Sequence, residues 1–541
     1  MPIPIIDLFA GPGGLAEGFS SLTNNVGDRI FKIKLSIEKD SAAHETLTLR
    51  SFVRQFPFRQ LPEEYYRFVE GEISLSELYR LFPDQYLHAA DEAWQATLGE
   101  TSPEEVDQRI STALNNETDW VLIGGPPCQA YSNAGRSRVG GISEEDHRVY
   151  LYKEYLRIIA RHHPAVFVME NVEGLLSAKL NDEKIFGWIL RDLSDPSSVF
   201  GEHNSPGYRI YSLVKNKVSK DSDYLIRAED FGIPQNRHRV ILIGIRDDIL
   251  KRPGILSRSE KVDLKSVIGL LPKIRSGISR SFSHSEIIIK GNGLQSKKRY
   301  YSRFENSFEA WREQIAGFSK ELLTKLDLAG FSEQHPETMG SEFFKTSKPH
   351  IDRRHSLAEW YTDQNLTGIT HHVSRSHLLQ DLKRYLFAAL YTEKNKRFPK
   401  LYDYKAFDEE LLPDHGNVES GKFTDRFRVQ LPNSPATTVT SHISKDGHYF
   451  IHFDPIQCRS LTVREAARIQ TFPDNYIFCG NRTDQYHQVG NAVPPYLAFQ
   501  IADIVSKVFN EEDDEKKISI SPNTKCLKIK GKQIEIFYFD G

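Results

Sequence analysis

Cysteine is scarce in this sequence. Four are spread over 541 residues, at 128, 458, 479 and 526. That is too few and too scattered for a disulfide framework or a CxxC metal pair, so all four are expected as reduced thiols. No apolar run approaches the roughly 18 residues needed to span a bilayer, and the N-terminus has neither the basic start nor the cleavage site of a secretory signal. A cytoplasmic protein that touches no membrane is expected. Internal repeats and low-complexity tracts are also missing, which excludes collagenous, coiled-coil and disordered classes. Nor does one sign of charge dominate. The formal net charge is -3, which taken alone argues against a polyanionic partner.

What is present modifies that last exclusion. Residues 61–119 hold fourteen acidic against three basic side chains, whereas residues 251–303 hold thirteen basic against three acidic ones. Charge segregated in this way can bind phosphate on one face of a near-neutral chain. At 541 residues, with 39% hydrophobic and 26% charged side chains, the chain also exceeds the size at which one core stops growing. Two or more domains are expected.

The opening reads as strand, glycine-rich turn, helix, strand: Pro4 to Phe9, Gly11-Pro12-Gly13-Gly14, Leu15 to Leu22, and Ile33 to Glu38. Apolar runs of strand length follow at 120–123, 165–169 and 239–245, with a helical pattern from Tyr150 to Arg161 between the first two. Such runs fit parallel strands buried on both faces of a doubly wound α/β sheet. Residues 50–118 interrupt the alternation as an acidic, helical insertion on the edge of this core. From about 251 to 430 a basic, aromatic-rich stretch reads as a second domain, and 431–510 returns to the core with helices at Leu461 to Gln470 and Pro494 to Phe509. The tail, 511–541, alternates like a small β appendage.

Several short segments could carry chemistry. The turn at Gly11 to Gly14 lets a ligand approach the backbone and a helix N-terminus, and Glu38 ends the next strand, where an acid can hold ribose hydroxyls. A tight turn and a surface glutamate would look the same. Gly124-Gly125-Pro126-Pro127-Cys128-Gln129 places a thiol on a stiffened loop at the carboxyl edge of the sheet. Cys128 is a candidate nucleophile there, against the alternative of an inert buried cysteine. Glu170, at the end of the 165–169 run, would reach the same edge; it could instead cap the following turn. Arg237 and Arg239 lie two residues apart on an extended segment, on one face, and need anionic or carbonyl partners. One of them could be a structural ion pair.

Taken in chain order, Asp7 to Gly14, Gly125-Pro126-Pro127-Cys128-Gln129, Glu170-Asn171-Val172, Gln235-Asn236-Arg237-His238-Arg239, Arg464 to Gln470 and Gly490-Asn491-Ala492-Val493-Pro494 resemble the ordered blocks of the DNA cytosine-5 methyltransferases. The resemblance covers roughly residues 1–45, 119–246 and 435–505. It implies a Rossmann-like, S-adenosyl-methionine-dependent methyltransferase core with a smaller, mixed target-recognition domain inserted at the basic stretch. Phe9, Ala10, Gly11, Gly13, Gly14, Glu38 and Pro126 would hold S-adenosyl-methionine, with Asn491 and Val493 closing its methionine end; S-adenosyl-homocysteine would be the product. Cys128 would add to C6 of a cytosine flipped out of duplex DNA, because C5 becomes nucleophilic only after that addition. Glu170 would hydrogen-bond N3 and the exocyclic amine as a carboxyl able to carry a proton transiently, Arg239 would contact the base carbonyl or Glu170, and Arg237 the backbone nearby. The polar stretch Ser132 to Arg138 could close over the base.

The acid that should face the adenine is blurred by the insertion, with Asp91 and Asp107 both candidates. The plan resembles a bacterial restriction-modification enzyme working as a monomer beside a cognate restriction endonuclease. An RNA-acting relative would share the chemistry but lacks so large a basic insert; a catalytically dead relative would lack Cys128 and Glu170; a small-molecule methyltransferase would need neither the cysteine nor the basic domain.

Overall fold

The computed structural model describes residues 1–127, 147–180, 183–201, 206–289, 295–330, 334–348, 350–413 and 425–510, with three short strands beyond them. Eight strands form its central sheet: β1 (Ile3–Leu8), β2 (Phe31–Glu38), β3 (Ala93–Gln95), β4 (Val121–Gly124), β5 (Val166–Val172), β6 (Tyr208–Ser212), β7 (Leu225–Arg227) and β8 (His238–Arg246). Their order is β3-β2-β1-β4-β5-β8-β6, with β7 also paired to β8. The first five are mutually parallel. β8 runs antiparallel to β5 and to β6. The apolar run at 239–245 therefore forms the expected strand in the opposite direction. An apolar run buried on both faces carries no sign of its direction, which is set by the connection that enters it.

Both faces of the sheet are covered. On one, Ile6, Leu122 and Phe167 pack against Val106 and Ile110 of α6 (Pro103–Leu114) and Tyr155 and Ile159 of α7 (His147–His162). On the other, Ile5, Ile123 and Val168 pack against Phe19 of α1 (Gly14–Ser20) and Leu497 and Ile501 of the C-terminal helix Pro495–Phe509. This is the doubly wound α/β arrangement, with one strand reversed.

The acidic insertion is not a separate appendage. It supplies the edge strand β3, which pairs with Ser36 to Glu38, and it follows α2 (Ser41–Arg54) as three helices, α3 (Glu63–Val69), α4 (Leu75–Leu81) and α5 (Pro83–Glu92). These helices bury Tyr65, Tyr66, Val69 and Leu78 against Phe52, with Phe343, Leu366 and Ile477 of later segments packed alongside. Tyr65 donates to the Asn475 carbonyl at 2.8 Å and Tyr66 to Asp363 at 3.1 Å. Thr367 donates to Glu70 at 2.5 Å, and Arg59 pairs with Glu359 at 3.0 Å. The insertion thus braces the sheet lobe against residues 343–367 and 475–477. Three residues are too few to announce β3 by periodicity, and the helical residues around it mask it.

A further cluster gathers Trp311 and Ile315 of the helix Phe308–Leu326, Leu382 and Leu386 of the helix Leu379–Asn395, and Phe427 and Cys458. An antiparallel hairpin, β9 (Arg280–Ile289) and β10 (Gln295–Arg303), leaves this lobe. In the tail, Ser519–Ile520, Cys526–Ile529 and Lys532–Glu535 pair as three short antiparallel strands. No helix among the described residues is long and apolar enough to cross a membrane.

Candidate active site

Because β1 to β5 are parallel, their carboxyl ends lie along one edge of the sheet, and β8, running the other way, brings its first residues to that edge. Ligands of open α/β sheets bind at such an edge.

After β1 the chain turns through Phe9, Gly11 and Gly13 with φ of 55, 56 and 90°, then enters α1. Gly14 is required by close approach: a Cβ there would stand 2.3 Å from the Val493 carbonyl oxygen. Val493 thereby closes the turn from behind, and the Tyr476 hydroxyl donates to the Pro12 carbonyl. Glu38 faces the turn from the end of β2. Its Oε2 accepts from Gly11 N at 2.8 Å, and its Oε1 accepts from Lys39 N at 2.9 Å and Asp40 N at 2.8 Å. Three of the roughly four acceptor positions of a carboxylate are thus used, and one is left for a hydroxyl. A Cβ on Gly11 would meet nothing within 4 Å, so the turn is open on the ligand side. An open turn, a fixed carboxylate and the half-buried Phe9 and Ala10 fit a nucleoside-bearing cofactor.

Beneath the turn lies a polar layer that the motifs did not flag. Asp7 is fully buried in β1 beside Ser36, and neither of its carboxylate oxygens nor the Ser36 hydroxyl has a hydrogen-bond partner among the described residues. Burial pushes the Asp7 carboxyl well above the usual range; Arg54 opposes this, and Glu38 and Glu92 add to it. Next to it Glu17 pairs with Arg50 at 2.5 Å and Arg54 with Glu92 at 2.6 Å. Burial would raise the Glu17 carboxyl, but Arg50 brings it below its ordinary value. The signal for Asp7 was in the sequence: an acid inside the otherwise apolar run from Ile3 to Phe9.

Neither acid proposed for the adenine lies at the end of β3. Asp91 is on α5 and pairs with Arg109 at 2.8 Å. Asp107, on α6, is engaged by Arg157 at 2.7 Å and His162 at 3.0 Å. The residue that ends β3 is Gln95, whose amide donates to the Lys39 carbonyl at 3.3 Å.

On the other half of the edge, β4 ends in Gly124 and the chain passes Glu170 at once: a Cβ on Gly125 would stand 3.0 Å from Glu170 Oε2. A side chain at 125 would press the carboxylate back by a few tenths of an ångström. Pro126 is buried next in the chain; Cys128 and the stretch Ser132 to Arg138 lie outside the described residues. Glu170 sits inside β5, two residues before its end, and Asn171, not Glu170, accepts from the Val172 amide. Arg239 Nε lies 2.7 Å from Glu170 Oε1, with both side chains 15% exposed, and Arg239 Nη1 donates to the His238 carbonyl at 2.8 Å.

Arg237 does not share that partner. It is buried and donates to the carbonyls of Val439 at 2.8 Å and Gly490 at 3.3 Å. Burial and the nearby Arg239 lower its guanidinium well below the ordinary value, and Glu170 opposes them. Its role in this geometry is to tie the segment before β8 to the returning chain. Gln235 does the same, donating to Gln470 at 2.5 Å and accepting from Val439 N at 3.1 Å, while Gln470 donates to the Val489 carbonyl at 2.7 Å. Within the Arg464 to Gln470 block, Arg464 donates to the Tyr476 carbonyl at 2.7 Å, and Arg468 pairs with Asp474 at 2.6 Å while donating to the Val267 carbonyl at 2.8 Å. That block is therefore a joint between lobes. Asn491 ends the helix Arg482–Asn491, exposed, with its amide 3.2 Å from His487 Nδ1.

Comparison with known proteins places this edge in context. Residues 84–507 match the family C-5 cytosine-specific DNA methylase. The chain is 31% identical over 524 residues to the type II methyltransferase M.Bpa9945I of Bacillus paralicheniformis, covering 94% of this chain and 99% of that one. It is 26% identical over 521 residues to the type II methyltransferase M.DdeI of Desulfomicrobium norvegicum, covering 93% and 89%. Among solved structures, a prophage-encoded protein of E. coli assigned as a DNA modification methyltransferase shares the fold at a TM-score of 0.50 and 18% identity, over 94% of this chain and all of that one. With the sheet order, the Gly-rich turn and the Glu170–Arg239 pair in their places, the chain belongs to the C-5 cytosine-specific DNA methylases.

Proposed function

We propose that the protein transfers a methyl group from S-adenosyl-methionine to C5 of a cytosine flipped from a specific duplex DNA sequence, through a covalent adduct with Cys128. The observation that carries this is the Glu170 carboxylate, held by Arg239 at 2.7 Å and approached by the loop that leads into Cys128, on the sheet edge that also bears the Gly11 turn and Glu38. When bound, the cofactor supplies an electrophilic methyl group. Glu38 and the turn would fix its ribose and orient it along the edge, with Val493 packed behind. The Cys128 thiolate would form an S–C6 bond as the C5–C6 pair shifts to C4–C5 and the C4–N3 pair takes a proton from Glu170 at N3, leaving an enamine whose C5 is nucleophilic. After methylation, return of the N3 proton to Glu170, loss of the C5 proton and expulsion of the Cys128 sulfur restore the aromatic ring. Arg239 keeps the carboxyl aimed at the base; Arg237 positions the strand entry that carries Arg239.

A stacked base cannot reach this edge, so the target is flipped at a cost of a few kcal/mol. Residues 251–430, with their excess of basic side chains, would grip the duplex. The relatives' designation as type II methyltransferases supports a place beside a restriction endonuclease that cuts the same site, and one pocket per target supports action as a monomer. The test is to incubate the protein with labelled S-adenosyl-methionine and either duplex DNA or tRNA. Methyl groups should enter DNA alone, a duplex carrying 5-fluorocytosine should trap a denaturant-stable adduct, and Cys128→Ser should abolish both. Methylation that survives Cys128→Ser would overturn the mechanism, and methylation of tRNA alone would overturn the substrate.

A further inference from the structure

The hairpin β9–β10 is a protruding arm whose two faces differ in charge. Nine residue pairs join it, from Arg280 opposite Arg303 to Ile289 opposite Gln295, with one irregularity between Phe282 and His284. Alternation along the strands puts Arg280, Lys297, Arg299 and Arg303 on one face, and neither Asp nor Glu of the described ladder falls there. Ring contacts confirm the assignment: Arg280 lies 5.5 Å over the Tyr301 ring, and Phe282 meets Tyr301 edge-on at 5.9 Å. The hairpin's acid, Glu286, is on the opposite face, where it accepts from the Tyr300 hydroxyl at 3.1 Å. There His284 stacks on Tyr300 at 4.7 Å, and Lys298 sits over the same ring. On the cationic face the distal end carries Ile287 and Ile289, 71% and 73% exposed, beside Gln295. Large apolar side chains are seldom left so bare in pairs unless something covers them.

The dimensions and the chemistry point to one occupant. Ten and nine residues at about 3.3 Å each give a ribbon of roughly 30 Å, close to one turn of B-DNA, and a two-stranded ribbon fits the major groove but not the minor one. Cations at alternate residues repeat every ~6.7 Å, about two base-pair steps. Arginine and lysine pair with the guanine edge, glutamine with adenine, and aliphatic groups with the thymine methyl, so this face presents donors and apolar contacts for groups exposed in that groove.

We propose that the β9–β10 arm lies in the major groove beside the target cytosine with this face inward, where Arg299 reads a guanine and Ile287 and Ile289 cover thymine methyl groups. The inference rests on the reading of the protein as acting on duplex DNA. The full chain is used to methylate a plasmid library with randomised sequence around cytosine, and the products are bisulfite-sequenced for the wild type, R299A, I287S/I289S and the opposite-face control K298A. Unchanged circular dichroism and thermal melting establish that each variant is folded. R299A should accept other bases at one position where the wild type demands guanine, with discrimination there falling roughly 10- to 100-fold. I287S/I289S should lose a thymine preference at a second position, and K298A should keep the wild-type base preferences. The inference is overturned by R299A and I287S/I289S retaining every wild-type preference, even with a raised KM for DNA, since that means phosphate contact alone. It is equally overturned by K298A shifting the preferences as far as R299A. A wild type that methylates no duplex cytosine instead fells the underlying reading, and that is seen before any variant is compared.

Discussion

Arg239 reaches from β8 across to β5 and sets its Nε 2.7 Å from Glu170 Oε1, both side chains nearly out of solvent. This pair joins two strands that run in opposite directions, so a carboxylate from the parallel half of the sheet is oriented by a cation from the reversed strand. Arg239→Ala should leave Glu170 free to turn from the base and cut kcat by about 10²- to 10³-fold, the loss typical of a misplaced proton donor or polar stabiliser. Arg239→Lys, which keeps the charge but not the planar fork, should fall between. Single-turnover methylation measures the loss, and titration calorimetry with S-adenosyl-methionine should show unchanged affinity. Equal kcat in wild type and Arg239→Ala would remove Arg239 from the site.

Glu38 is held by three backbone amides, from Gly11, Lys39 and Asp40. Glu38→Ala removes the proposed ribose acceptor and frees the turn together, so S-adenosyl-methionine should bind about 10- to 100-fold more weakly. Glu38→Gln, which retains an acceptor oxygen, should bind better than the alanine variant. Electrophoretic mobility of the protein with duplex DNA should not change, because the turn lies in the sheet lobe, whereas the basic side chains lie in the separate stretch 251–303. A loss of DNA affinity equal to the loss of cofactor affinity would assign Glu38 a purely structural role.

The joint between lobes offers a stability test. Arg468 and Asp474 are buried and paired at 2.6 Å, and Arg468 also donates to the carbonyls of Val267 and His350. Burial would raise the Asp474 carboxyl, yet the adjacent Arg468 holds it below its ordinary value. Asp474→Asn would leave a buried guanidinium without its counter-charge, a defect that costs about 3–5 kcal/mol. Denaturant unfolding followed by tryptophan fluorescence should show the transition moved to lower denaturant. A shift of less than about 1 kcal/mol would mean that water reaches the pair.

Five of the eight sheet strands, β1, β2, β4, β5 and β8, were legible because each is an apolar or alternating run of strand length, and the Gly11 turn because three glycines within four residues have few other uses. The direction of β8 was not legible, since direction is a property of the connection and not of the run. Arg237 and Arg239 looked equivalent in sequence, two residues apart on an extended segment. The structure separates them: one faces the Val439 and Gly490 carbonyls and the other faces Glu170. Contacts across 200 or more residues decided which arginine meets the carboxylate, and no local pattern encodes such contacts. The brace formed by Tyr65 and Tyr66 escaped notice for the same reason, because their partners, Asn475 and Asp363, come from segments read as belonging elsewhere.

Acid should loosen the same joint in a defined window. His372 has no exposed surface; its Nε2 lies 2.8 Å from the Pro272 carbonyl and its Nδ1 3.2 Å from the Thr462 hydroxyl. A carbonyl only accepts, so the proton belongs on Nε2 and the neutral ring accepts from Thr462. Burial lowers its pKa from 6.5 to about 4, with Glu465 opposing and Arg459 adding to the shift. His452, buried nearby, is lowered to about 4 by the same cause. The folded pKa is below the unfolded one, so between about pH 4 and 6.5 the unfolded chain binds more protons. Stability from the neutral ring is therefore complete above pH 6.5 and is lost as pH falls toward 4, with a slope of up to about 1.4 kcal/mol per pH unit for each such proton. Unfolding free energies measured at intervals from pH 4.5 to 7.5 should rise to about pH 6.5 and then level. His372→Gln keeps a donor for Pro272 but cannot titrate, so its slope between pH 5 and 6 should be shallower than the wild type's by up to one proton. An unchanged slope in that variant would show that His372 is charged in the fold.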